Sequence, residues 1–395
     1  MKKVIISLLI LILPALLIAD EPDIDISLIT IGPGKPVYVW WGHTALVITD
    51  NTRHKDYFVN FGLFNFDMDN FYFNFVMGRL YFMVGVSSYD AEIQRYSMQD
   101  RWIIRQHFNL TNDQKLMLYD MIRENTKKEN RVYRYDHIFD NCVTRPRDMI
   151  NTVLGNKLYE SASVPSGLTL REHMRRFSQD KHFMQWWLMY GQGGVIDVEA
   201  SEWDSMFLPV ELYNNLKELP GVVDYEEIIV PVTVPDPDEP EHVLYYLYPF
   251  CVGLLLALVP FLSVLFPKNK HLLRARRIEG NVLLAIIGIL GTTLIFLTVF
   301  TEHYVIHKNY NTLLNPFFAL VPFFIPRKHR DSAKKLVWSV MLCIALLMCI
   351  FQPVMPHKNL NIVLTFLPLY AVYGGIPIAE KILKLRKDRS ILPKA

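Results

Sequence analysis

Cysteine is scarce in this chain: only four occur in 395 residues. Cys251, Cys343 and Cys349 fall inside long apolar runs, where a thiol behaves as a small hydrophobe. Cys142 is left without a disulfide partner, which excludes a small domain stapled by disulfides. Excess charge is lacking too. A net charge of +2 is too small for a polyanion-binding surface, so no nucleic-acid partner is expected. No internal repeat is present, and the Gly191-Gln192-Gly193-Gly194 cluster lacks the Lys of a phosphate loop and reads as a turn. His54, His107, His137, His173, His182 and His242 show no ligand spacing, so neither metal nor cofactor is expected.

Apolar residues make up 51% of the chain, above the usual share for a soluble protein, and they cluster at the two ends. Residues 1–19 combine Lys2 and Lys3 with an apolar run ending at Ala19, the pattern of a secretory signal peptide or an uncleaved anchor. No Cys follows that run, so the chain is not itself a lipoprotein. Residues 20–230 read as an exported aqueous domain. Pro231, Pro235, Pro237 and Pro240 among acidic residues mark a stiff linker over 231–242. Beyond it, apolar segments at about 243–266, 281–301, 312–326, 336–352 and 360–379 predict five membrane helices. The third is short and holds Pro316 and Pro322, so a broken span is expected there.

The loops set the orientation. Lys268, Lys270, Arg274, Arg276 and Arg277 follow the first span, and Arg327, Lys328, Arg330, Lys334 and Lys335 follow the third. The tail, 381–395, adds Lys381, Lys384, Arg386, Lys387 and Arg389, while the second and fourth loops hold one Lys each, Lys308 and Lys358. Positive loops stay inside, which puts residues 20–230 on the outer face of a multi-pass protein.

Within residues 20–230, β-branched and aromatic runs predict strands at Ile24–Ile31, Val37–Trp41, Thr44–Thr49, Tyr57–Phe61 and Tyr81–Val86. Thr111 with Gln114 and Thr169 with Glu172 form capping boxes that open helices, the first through about Glu124 and the second including Met174 and Phe177. The domain class is α+β.

Cys142 lies in Asp140-Asn141-Cys142-Val143-Thr144-Arg145-Pro146-Arg147-Asp148, too polar a setting for a core thiol. Asp140 or Asn141 can cap a helix there, Pro146 suits its first turns, and Met149, Ile150 and Val153 give it an apolar stripe. A Cys at a helix N-terminus gains thiolate character, and the free amides there are natural oxyanion donors. His43 heads a predicted strand and can serve as the base. Asn60 on the next strand is the candidate to orient the imidazole, with His54 and Asp56 behind it. Thr144, Arg145, Arg147 and Asp148 either hold a substrate phosphate or form structural ion pairs; both readings stay open.

The His-before-Cys order, with an Asn-Cys pair opening a helix, resembles the circularly permuted papain-like enzymes of the NlpC/P60 superfamily. Trp41-Gly42-His43-Thr44-Ala45-Leu46, Asn60-Phe61-Gly62-Leu63-Phe64 and the Cys142 segment more specifically resemble the Lnb-type bacterial lipoprotein N-acyltransferases. Glu302-His303, His307, Asn309, Asn311 and Asn315-Pro316 extend the likeness into the membrane part. The resemblance implies a permuted papain-like α+β periplasmic domain followed by an all-α five-helix transmembrane domain, in the bacterial inner membrane. It implies Cys142 as nucleophile and His43 as base, with Asn141 beside them. The acyl donor would be a membrane phospholipid and the acceptor a diacylated lipoprotein. A membrane-tethered thiol hydrolase, cutting phospholipid or cell wall, uses the same residues; a non-catalytic membrane scaffold needs none of them.

Two further features carry open alternatives. Phe64, Phe66, Phe71, Tyr72, Phe73, Phe75, Tyr81 and Phe82 are either core aromatics or a surface for lipid, as an acyl-chain channel or a patch dipping into the headgroup zone. His303, His307, Asn309, Asn311 and Asn315, at the outer ends of spans, are either lipid-headgroup ligands or ordinary interfacial residues.

Overall fold

A computed structural model of the chain describes residues 22–64, 70–233 and 235–391, with side chains through residue 379. The signal segment and Phe66 lie outside the described residues, as do the side chains of the basic tail. The chain divides into two compact units. One comprises residues 1–65, 81–163 and 206–235, the other residues 66–80, 164–205 and 236–395. The packing therefore divides elsewhere than at the proline linker, because two stretches of the expected aqueous domain are built into the helical unit.

The first unit is organised by a seven-stranded antiparallel sheet. Its strands are β1 (Ile24–Ile31), β2 (His43–Asp50), β3 (Lys55–Leu63), β4 (Tyr81–Ser88), β5 (Ile103–Phe108), β6 (Val132–Arg134) and β7 (Val223–Val230). They lie in the order β6-β4-β3-β2-β1-β5-β7. Successive side chains point to opposite faces, and the central strands bury both. Ile29, Ile31, Ala45, Val47 and Phe58 cluster with Tyr96 of helix α1 (Tyr89–Ser97) on one face. Leu28, Leu46, Val59 and Phe61, at alternate positions, are fully buried as well. Each such side chain contributes roughly 1.5–3 kcal/mol of burial free energy.

Val37–Trp41 is not a strand, contrary to the sequence expectation. β1 and β2 already pair up to Ile31 and His43, so the intervening residues must turn, and Val37–Val39 form a 3₁₀ turn with Tyr38 exposed. Three strands of this sheet went unforeseen, β5, β6 and β7. Two helices of this unit bear on the site: α2 (Asn112–Thr126), opened by the Thr111–Gln114 capping box as expected, and α3 (Thr144–Val153). Met149, Ile150 and Val153 of α3 are buried, and α3 packs on α2 and β2. A further helix, α4 (Pro209–Glu218), packs on β1.

The second unit holds four helices long and apolar enough to cross a membrane: α5 (Val243–Leu265), α6 (Lys270–Phe300), α7 (Arg327–Phe351) and residues Leu360–Ala379 of α8 (Leu360–Ile391). The fifth expected span is shorter and broken. Asn311–Leu314, Phe317–Leu320 and Val321–Phe324 form three short turns of helix, interrupted at Asn315–Pro316, with Pro322 in the first turn of the last. Broken backbone at membrane depth survives where protein shields it, and here α6 does so. A Cβ on Gly291 would sit 1.7 Å from the Asn315 carbonyl oxygen, an approach open only to glycine. The Thr169–Glu172 capping box also forms, opening a helix that ends at Arg176.

Candidate active site

β2 begins at His43, and its cross-strand neighbour Ala45↔Asn60 puts His43 and Asn60 on the same face of the sheet, one diagonal apart. His43 Nε2 is 3.1 Å from Asn60 Oδ1. With an oxygen facing it, Nε2 carries the proton and donates, which leaves Nδ1 as the free base. Asn60 is buried, so this orientation is fixed. Two residues on, β3 is interrupted by a bulge between Phe61 and Leu63, with Gly62 at φ +140°. A Cβ there would lie 3.3 Å from Cys142 Cβ and 3.7 Å from His43 Cε1. Cys142 and His43 thus both border the space that the absent Gly62 side chain leaves, and bulges beside active sites commonly serve to re-aim side chains.

Cys142 sits just ahead of α3, held by Asn141. The Asn141 Oδ1 accepts from the Val143 and Thr144 amides at 2.7 and 2.9 Å, while its Nδ2 donates to His137 O and Phe207 O. Thr144 Oγ1 in turn accepts from the Asn141 amide. Asn141 is thus the cap that the sequence suggested. It also consumes the helix amides expected to serve as oxyanion donors. The amides left to favour a charged sulfur are those of Thr44 and of Cys142 itself.

The expected thiolate is corrected by the structure. Burial pushes the Cys142 thiol up to about 11, against the opposing pull of those two amides and of the Arg101 charge. Burial and then Arg101 push His43 down to about 3, and the Asn60 hydrogen bond offsets only part of this. Both groups are therefore uncharged at rest near neutral pH, and the proton moves only when charge can be taken up elsewhere.

Arg101 was not singled out from the sequence, where nothing marks it among other arginines. It is 1% exposed, donates from Nε to Gly32 O at 2.6 Å, and lies 5.2 Å from the Tyr96 ring. Tyr96 itself is 5.9 Å from the His43 ring. No carboxylate pairs with Arg101 among the described residues, and one of its terminal nitrogens has no hydrogen-bond partner. Burial lowers its own pKa to about 10, so it stays charged at neutral pH. Tyr133 is a second buried group near Cys142 with an unpartnered hydroxyl, its ring 3.6 Å from the Arg145 guanidinium carbon.

The remaining polar candidates around Cys142 are engaged with one another. Arg145 binds Asp140 through two hydrogen bonds of 2.6 and 2.9 Å, and Arg147 pairs with Asp148 at 2.7 Å. This geometry favours loop fixation for Thr144, Arg145, Arg147 and Asp148. His54 and Asp56 do not reach the imidazole: Asp56 binds Arg105 and Thr49, and His54 is exposed in a turn.

Residues 18–176 match the family model of the Lnb N-terminal periplasmic domain, and residues 240–378 match that of the Lnb transmembrane domain. The chain belongs to the Lnb family. No curated protein and no solved structure matches it. As an Lnb protein it is a membrane protein with a periplasmic domain, and His43, Asn60 and Cys142 all lie inside the periplasmic match.

In the transmembrane part of this Lnb protein, Asn309, Asn311 and Asn315 are buried, and their side-chain amides donate to Tyr190 O, Tyr190 O and Tyr190 Oη at 2.9–3.0 Å. Tyr370 Oη donates to Asn315 Oδ1. The three asparagines thus tie the helix His182–Gly191 to the broken span, a packing role rather than a lipid-facing one. His303 and His307 flank a 3₁₀ turn, half-buried, and do not share a helix face. No cluster of metal-ligating side chains occurs among the described residues.

Proposed function

We propose that this Lnb protein is a lipoprotein N-acyltransferase working in the bacterial inner membrane through a Cys142 thioester. The observation that carries the reading is that Cys142 and His43 border the space left by Gly62, with Asn60 hydrogen-bonded to the imidazole, in a chain that continues into helices long and apolar enough to span a membrane.

Cys142 Sγ attacks the carbonyl carbon of a phospholipid ester while His43 Nδ1 takes the thiol proton. The amides of Thr44 and Cys142 donate to the developing oxyanion, and Arg101 favours the negative charge from behind. Collapse breaks the C–O bond. His43 returns the proton to the glycerol oxygen, leaving a thioester and a lysophospholipid. In the second half the α-amine of a diacylglyceryl-cysteine attacks the thioester carbon, His43 takes a proton from nitrogen, and the C–S bond breaks as His43 passes that proton to the sulfur, giving an amide and the free Cys142 thiol.

The test is expression in a bacterium whose lipoproteins are diacylated, followed by mass spectrometry of one N-terminal lipopeptide. A mass gain of one amide-linked acyl chain, lost in Cys142→Ala and His43→Ala, is the expected result. Lysophospholipid or cut wall peptides with an unchanged lipopeptide would show a thiol hydrolase instead. An acyl amide that persists in Cys142→Ala would end the thioester mechanism.

A further inference from the structure

The helical unit contains a short aromatic helix that the mechanism above does not use. Phe71–Val76, with the sequence Phe-Tyr-Phe-Asn-Phe-Val, buries none of its residues. Tyr72 is 81% exposed, Phe73 60%, Phe75 52% and Val76 47%. Side chains this large and apolar, exposed together over one and a half turns, do not stay in water without a reason.

The position of this helix supplies the reason. Its end is fastened to the outer end of α6: the Glu302 amide donates to Met77 O at 2.8 Å, and Arg79 Nε donates to Glu302 Oε1 at 2.7 Å. Gly78, at φ +75°, lies so close that a Cβ would be 2.6 Å from the His303 amide nitrogen. Glu302 is only two residues beyond Phe300, the last residue of the membrane helix, and Val299 and Phe300 are themselves more than 60% exposed. The aromatic helix is therefore held beside the end of α6, next to the exposed apolar Val299 and Phe300 of a helix long and apolar enough to span a membrane. Aromatic rings are favoured at the depth where lipid acyl chains give way to headgroups.

We infer that Phe71–Val76 is a membrane-surface helix that sets Tyr72, Phe73 and Phe75 into the acyl-chain boundary of the outer leaflet. The inference rests on the spanning character of α6, not on acyl transfer. It also resolves the aromatic run of the sequence: Phe71–Val76 meets lipid, whereas Phe82 stacks on Tyr135 at 4.1 Å.

The experiment is a depth measurement on the full chain in phosphatidylethanolamine–phosphatidylglycerol vesicles. A nitroxide is placed at Phe73→Cys or Tyr72→Cys with the four native cysteines replaced by alanine, and a control label is placed at Lys128→Cys. Collisions with membrane-soluble oxygen should exceed collisions with a water-soluble nickel chelate at least threefold at 72 and 73, with the reverse at 128. Arg79→Ala should move the labels at 72 and 73 toward the nickel-accessible side. Nickel-dominated relaxation at 72 and 73 would overturn the inference. Shielding from both probes would overturn it too, by putting protein rather than lipid on this face. Because the readout needs no turnover, it stands or falls separately from the acyltransferase reading. If both hold, Phe73→Asp combined with Phe75→Asp should slow transfer from vesicle-borne donor at least tenfold and transfer from detergent-dispersed donor less than threefold. Equal slowing of the two would show that the aromatics act on folding rather than on lipid contact.

Discussion

His43 donates through Nε2 to the buried Oδ1 of Asn60 at 3.1 Å, which turns the other ring nitrogen into the base. The bond spans two adjacent strands of the sheet, so its geometry is set by pairing register and not by a flexible loop.

Asn60→Ala should lower the rate of acyl transfer on the order of 10²-fold by releasing the imidazole from its productive tautomer and orientation. Binding of the donor should change little. A KM that rises while kcat holds would assign Asn60 to substrate binding.

Arg101 is a buried charge with no carboxylate partner among the described residues, and it lowers the pKa of both Cys142 and His43. In Arg101→Met both should rise. The rate of Cys142 alkylation by iodoacetamide should then climb at higher pH than in the native protein, and kcat should fall roughly tenfold or more. An alkylation profile that does not move would reduce Arg101 to a packing role.

Gly62→Ala tests the gap between thiol and imidazole. Its φ of +140° is one that L-residues rarely adopt, and the added methyl would meet Cys142 Cβ at 3.3 Å. A loss of about 1–3 kcal/mol in stability is expected from the backbone strain alone. Activity should fall further than that destabilisation explains, as seen by comparing turnover with the folded fraction from circular dichroism.

Acid should report the depressed pKa of the His43 imidazole. His43 titrates near 6.5 when unfolded and near 3 in the fold, so between those values the unfolded chain binds the extra proton and stability falls as pH falls. In His43→Ala the melting temperature should decline less steeply from pH 6.5 to pH 4. Parallel declines would mean that the imidazole is protonated in the fold.

In the helical unit, Asn315→Ala leaves Tyr190 Oη without its donor and Tyr370 Oη without one of its acceptors. Unsatisfied buried groups cost about 1–3 kcal/mol each, so the melting temperature in detergent should drop. Full stability in this variant would show that the asparagine is free for another role.

What the sequence determined by itself follows from local chemistry. Capping at Thr111 and Thr169, the apolar run lengths, the proline-broken third span and the asymmetry of basic loops each rest on neighbours a few residues apart. Cys142 and His43 could be nominated because an unpaired Cys in a polar exported segment and a strand-borne His stand out, and Asn60 because it is a polar residue on the next strand.

Only the tertiary structure decided the rest. Thiolate or thiol at Cys142 depends on how deeply the sheet and α3 bury the sulfur, and burial outweighs the helix end. Arg101 joins the site through β5 and Tyr96, some forty residues from Cys142 in sequence, and no local pattern encodes that approach. Asn309, Asn311 and Asn315 read from the sequence as either lipid-headgroup ligands or ordinary interfacial residues, because polarity near a membrane is costly. The structure satisfies them on Tyr190 instead, more than a hundred residues away. Hydrogen-bond partners and burial are properties of packed pairs, so a one-dimensional pattern can nominate a residue but only the fold can supply its partner.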